Sequence, residues 1–136
     1  MKKIILMLAC VACVLCSCTT QMKRANELIA EYTQKAEQAN MELNVLADTV
    51  DLTTEEEAYV EAHAYSIAYH TVVQVAENWN LTTAPLEYEA IKRTVQAENL
   101  RVPLSGQKQV YSSKYDEIIT YKLTAALLQR WVEIHS

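Results

Sequence analysis

Nine residues between Met22 and Val50 follow one another at alternating steps of three and four: Met22, Ala25, Ile29, Tyr32, Ala36, Ala39, Leu43, Leu46 and Val50. A helix brings positions three and four apart onto one face, whereas a strand scatters them over both. Four unbroken heptads of this kind predict a helix over residues 19–51 with a single apolar seam. From 22 to 50 it would run ~43 Å at 1.5 Å per residue. The middle of the seam is alanine-rich, which allows a second helix to approach closely. The flanking positions hold Asn26, Thr33 and Asn40 on one side and Leu28, Lys35 and Glu42 on the other. They do not make a clean set of interhelical ion pairs. Packing inside one bundle is therefore expected, with self-association along residues 22–50, as a coiled coil, the alternative.

The rest of the chain is helical too. Glycine occurs once, at Gly106, and proline twice, at Pro85 and Pro103, far too few for a turn-rich β architecture. After a break at Asp51-Leu52-Thr53-Thr54, either Thr53 with Glu56 or Thr54 with Glu57 fits a capping box. The second helix, running to about Asn78, is apolar over most of its circumference and is expected to be central. Asn78 to Thr83 reads as a turn, with Thr83 a cap for a third helix and Pro85 in its first turn. Ala84, Tyr88, Ile91 and Val95 give that helix an apolar stripe, expected to be buried. Arg101 to Gln107 is the clearest loop. The last helix starts between Gln107 and Ser113, with Ser113 one candidate cap. Its expected buried stripe is Tyr115, Ile119, Leu123, Leu127, Trp131 and Ile134. The fold class is all-α, an up-and-down bundle of about four helices.

The N-terminus has a different character. Met1-Lys2-Lys3 precedes an apolar run from Ile4 to Cys16. The run is shorter than the roughly 20 residues a spanning helix needs, and a basic start before it makes a secretory signal. Leu15-Cys16-Ser17-Cys18 then resembles the lipobox of bacterial lipoproteins, with Leu15 the aliphatic residue, Ser17 the small one and Cys18 the acylated one. The resemblance implies a signal peptide over residues 1–17, cleaved to leave a single helical domain over 18–136 whose first residue, Cys18, carries the lipid. Two or more acyl chains at ~0.8 kcal/mol per buried methylene anchor stably. Thr19 rather than Asp follows the cysteine, which in enteric-type sorting implies the periplasmic face of the outer membrane rather than the inner membrane.

All four cysteines, Cys10, Cys13, Cys16 and Cys18, fall in this segment. Their spacing imitates a metal-ligand set, but the surrounding residues are apolar and supply no polar groups to orient ligands. Processing would leave Cys18 alone, alkylated, so stability is expected from helix packing rather than disulfides. Removing Lys2 and Lys3 takes the formal charge from −5 to −7. An acidic domain of this size argues against nucleic acid, whose phosphates need a basic patch.

Chemistry-bearing residues concentrate on the second helix. Glu56, His63, His70 and Glu77 recur every seven residues, with Tyr59, Ser66 and Gln74 near the same face. The plainest reading is the solvated strip of an otherwise buried helix. The alternatives are a partner-binding or pH-sensitive strip, or a metal-binding bundle. Histidines seven apart are separated by ~10.5 Å along the axis, too far to share one ion unaided. Neither Glu-x-x-His nor His-Glu-x-x-His occurs, and one glycine cannot build a phosphate loop or a nucleophile elbow. No metal, no cofactor and no enzymatic activity is expected. The expected role is a lipid-anchored envelope protein that acts by binding or scaffolding an envelope partner. An exclusion or inhibitor lipoprotein of phage or plasmid type, blocking an envelope receptor, is the second expectation.

Overall fold

The heptad seam folds as the second half of a long helix, α1 (Lys2–Ala47), in a computed structural model that describes the backbone of residues 2–82 and 84–136 and the side chains of 20–82 and 84–136. The lipobox side chains and the proposed Thr83 cap lie outside the described residues. Three more helices follow: α2 (Thr54–Asn78), α3 (Ala84–Leu100) and α4 (Gln107–His135). Their directions alternate up and down, and the described residues contain no strand.

Every residue of the 22–50 seam is buried or half-buried, and Ala25, Ala36, Ala39 and Leu43 are the most deeply covered. The partner is α4 of the same chain. Ala39 and Leu43 close on Ile118 with Tyr111 and Tyr115 packed against them, and the Tyr32 and Tyr121 rings stack at 6.0 Å. Residue numbers rise along α1 as they fall along α4, so the pair is antiparallel. Lys114 ties it polar-side, 2.6 Å from Glu42 and 3.2 Å from Glu117. The helix stops at Ala47, short of the expected 51. Leu46 accepts from both the amide and the hydroxyl of Thr49, a tight turn that carries Val50 out of the helix.

Helix α2 begins as its sequence directs. Thr53 is extended, and its hydroxyl accepts from the Glu56 amide at 3.2 Å. Glu55, Glu56 and Glu57 occupy the first turn, favoured by the positive end of the helix dipole. Only half of a capping box forms, because the Glu56 carboxylate turns away to Lys108 on α4. At the other end Asn80 takes a left-handed conformation (φ 51°), and the Leu81 amide donates to Ala76 O at 2.9 Å. This is a Schellman stop, with Leu81 packed back on the helix it ends.

The layout of neighbours is more open than a square bundle. Among the described residues α1 packs closely on α4 alone and α3 on α2 alone, while α4 packs on α1 and α2. The spatial order is therefore α1, α4, α2, α3. Helices α2 and α4 run parallel, with Ala64 and Ala68 against Ile119, then Val72 and Ala76 against Leu127. Trp79 and Trp131 meet edge to face at 4.8 Å at the end of this seam, and His135 stacks on Trp131 at 4.2 Å.

Four expectations are corrected. Helix α4 has two buried faces rather than one stripe, because it is sandwiched: Ile118 serves α1 while Ile119 and Leu127 serve α2. Ile134, expected to be buried, is 59% exposed. Ser113 is an exposed residue inside α4 and not its cap, since the helix starts earlier, after Gly106 (φ 58°). The stripe expected to bury α3 faces outward instead.

Candidate functional site

The seven-residue strip on α2 divides at its midpoint. Glu56, Tyr59, His63 and Ser66 are half-buried, whereas His70, Gln74 and Glu77 are exposed. The reason is α4, which lies parallel to α2 and presents charges in the same register. Lys108 Nζ sits 2.8 Å from one oxygen of Glu56 and 3.0 Å from the other, 52 residues apart in sequence. His63 Nδ1 lies 3.1 Å from Asp116 Oδ1, a separation of 53 residues. The first half of the strip is therefore an interhelical polar seam and not a solvated face. The second half outlasts its partners: among the described residues His70 meets the Tyr69 ring, edge on at 5.6 Å.

The Asp116 side chain is only 16% exposed. Burial pushes its carboxyl above the ordinary carboxylate range, while the hydrogen bond and charge of His63 pull it back. An ionised carboxylate can only accept, so when Asp116 is ionised His63 donates from Nδ1 and Nε2 is the ring nitrogen left unengaged by Asp116. This orients the imidazole as a carboxylate orients a catalytic or ligating histidine. The surroundings do not complete either chemistry. No hydrogen bond joins Ser66 to His63, and among the described residues no three His, Cys, Asp or Glu side chains are placed to hold one metal ion. What remains is a shallow groove where Tyr59, His63 and Ser66 face Arg101, Val102 and Pro103 at the end of α3. The Tyr59 and His63 rings lie 5.4 Å apart along it. Arg101 takes a left-handed conformation (φ 39°) in which its backbone N–H donates to Ala97 O, and its Nε donates to Glu98 O.

Sequence reasoning found the α2 half of this arrangement and missed Lys108, Asp116 and Arg101. A signal for the first two exists: Lys108 and Asp116, eight apart on α4, offer charge or hydrogen bonds to Glu56 and His63, seven apart on α2. It becomes visible only once the two helices are known to be parallel neighbours.

The other surface with functional character is on α3. Leu86 packs into the α2–α4 cluster, Ala90 is buried, and Arg93 reaches back to Glu61 at 2.6 Å and over the Tyr65 ring. At about 100° per residue, Ala84, Tyr88, Ile91 and Val95 lie on the opposite side of the helix. They face solvent, with Tyr88 at 68% exposure and Ile91 and Val95 each at 51%. The helix thus carries two apolar faces and has a neighbour for one of them. Among the described residues no helix is long and apolar enough to cross a membrane. No protein-family model, curated protein or solved structure matches this chain.

Proposed function

We propose that this protein is a lipid-anchored helical binding module of the bacterial envelope, held at the membrane by Cys18 and engaging a protein partner through the outer face of α3. The observation that carries the reading is the second apolar face of that helix. An amphipathic helix at the edge of a bundle ordinarily turns one apolar stripe inward and a polar face to water. Here Tyr88, Ile91 and Val95 break that pattern on consecutive turns. A contiguous apolar strip of this kind on a small domain marks an interaction site. Anchoring is supported by the lipobox resemblance of Leu15 to Cys18 and by the brevity of the apolar run before it. With only Thr19, Thr20 and Gln21 between Cys18 and the start of the seam, the domain would sit close to the membrane surface, on the periplasmic side of the outer membrane.

The test has two arms. In cells fed a labelled fatty acid, the wild-type chain should take up label and fractionate with membranes, and Cys18→Ser should do neither. Label persisting in the variant would remove Cys18 as the acceptor. In the second arm, Ile91→Lys and Val95→Lys should abolish crosslinking to the partner without lowering the melting temperature, since both side chains already face water. Unchanged crosslinking would remove α3 as the binding face.

A further inference from the structure

Three parts of the chain meet at one end of the bundle. From the Tyr32–Tyr121 stack, ten residues back along α1 lead to Met22 and ten residues on along α4 lead to Trp131, so the antiparallel pair sets these two level. Trp79 packs on Trp131, which puts the end of α2 and the turn into α3 in the same layer. Both tryptophans of the chain therefore lie at the end from which α1 leads back toward Cys18. Cys18 is four residues before Met22, ~6 Å along a helix.

Helix α4 continues past this layer. Its apolar stripe through Leu127 and Trp131 goes on to Ile134, but α2 stops at Asn78 and has nothing left to cover it. Ile134 is thirteen residues on from Tyr121, and Thr19 is thirteen back from Tyr32, so the exposed isoleucine lies level with the backbone beside Cys18. Charge is divided along the same axis. Asp48, Asp51, Glu55, Glu56 and Glu57 lie at the opposite end, in the α1–α2 connection and the start of α2. Within two residues of the tryptophan layer, Lys23, Arg24 and Arg130 outnumber Glu77 and Glu133. An anionic headgroup layer repels the first end and not the second.

We infer that this end of the bundle seats on the phospholipid surface at the anchor, with Ile134 entering the acyl boundary and the half-buried Trp79 ring at headgroup level, the depth tryptophan favours. The inference rests on the lipid-anchor reading above and adds an orientation to it. The helices stand upright, the outer face of α3 looks sideways, and the acidic end points away from the lipid. One isoleucine and part of one tryptophan are too little to hold a domain on a membrane unaided. The anchor supplies the affinity, and the apolar end decides how the domain stands.

The experiment uses the lipidated chain, purified from host membranes and returned to vesicles of phosphatidylethanolamine and phosphatidylglycerol. Bromine on the acyl chains near the glycerol quenches tryptophan fluorescence at short range, and both reporters are native to this end. Wild type should float with the vesicles and lose about half its fluorescence relative to unbrominated vesicles, since Trp79 is one of two tryptophans and Trp131 is buried. Ile134→Glu changes an exposed side chain, so helicity and flotation should persist while the quenching falls about twofold or more. Ile91→Lys, on the outer face of α3, should leave the quenching unchanged. Flotation without quenching would overturn the seat and leave the anchor standing. Quenching undiminished by Ile134→Glu, or diminished instead by Ile91→Lys, would put another face on the lipid and overturn the seat. Wild type that stays in solution would remove the anchor and the seat together.

Discussion

His63 on α2 and Asp116 on α4 are joined by a 3.1 Å contact between Nδ1 and Oδ1 at the centre of the parallel pair. Burial resists ionising Asp116, and the bond to His63 offsets only part of that cost. A carboxyl whose folded pKa lies above its unfolded value adds stability while protonated. That contribution is complete below the unfolded value of ~3.9 and is lost as pH rises through the folded value. Asp116→Asn keeps an oxygen to accept from His63 and removes the titration. The stability of wild type minus variant, from urea titrations, should fall as pH rises above the unfolded value of ~3.9. A flat or rising difference would show that Asp116 does not titrate with folding.

Leu127 is fully buried between Val72 and Ala76. Leu127→Ala should cost about 3 kcal/mol, through lost burial and the cavity left behind. Ile134→Ala, at the exposed end of the same helix, should stay within ~0.5 kcal/mol. Paired chemical denaturation separates the two, and similar losses would contradict the burial of Leu127.

Two backbone positions with positive φ should respond oppositely to substitution. Asn80 closes α2 in the left-handed conformation that glycine adopts without steric cost, so Asn80→Gly should stabilise by up to about 1 kcal/mol. Gly106 (φ 58°, ψ −132°) occupies a region closed to other residues, so Gly106→Ala should destabilise by roughly 1–3 kcal/mol although no atom lies within 4 Å of the added Cβ. Melting temperatures test both signs. A neutral Gly106→Ala would mean that the turn before α4 relaxes freely.

Lys114 holds the Glu42 carboxyl below its ordinary range by a direct hydrogen bond, and Glu42 in turn raises Lys114. Lys114→Gln should return the Glu42 titration, followed by carboxyl NMR shifts, toward the ordinary glutamate value. A depressed carboxyl stabilises above its unfolded pKa and loses that contribution as pH falls through the folded one. The acid limb of unfolding should therefore become shallower in the variant. An unmoved Glu42 titration would break the α1–α4 ion pair.

The sequence is most readable where one helix meets one neighbour. The 22–50 seam faces a single partner, so its period survives intact from sequence to packing. Helix α2 is apolar nearly all round because it touches both α3 and α4, and that too is legible. Helix α4 is not, because its two buried faces overlap on adjacent residues, Ile118 and Ile119, and the single cleanest stripe records only the α2 side. The stripe of α3 misleads for a different reason. Periodicity marks an apolar face without saying which of two faces turns inward, and Leu86, Ala90 and Ala97 form the quieter one. The candidate site was half legible. His63 stands out from its apolar neighbours, but Asp116 gains meaning only from the parallel register of two helices far apart in the chain.

The serial order α1, α4, α2, α3 also fixes how force passes through the molecule. In a square bundle a load applied between two helices divides along two routes around the ring. Here the packing route between α1 and anything seated on α3 crosses the α1–α4, α4–α2 and α2–α3 seams one after another, and only the connecting loops run beside it. The mechanical strength of such a link is that of its weakest seam. Helix α3, the shortest of the four, with one buried alanine and the Arg93–Glu61 pair at its centre, is where it would yield first.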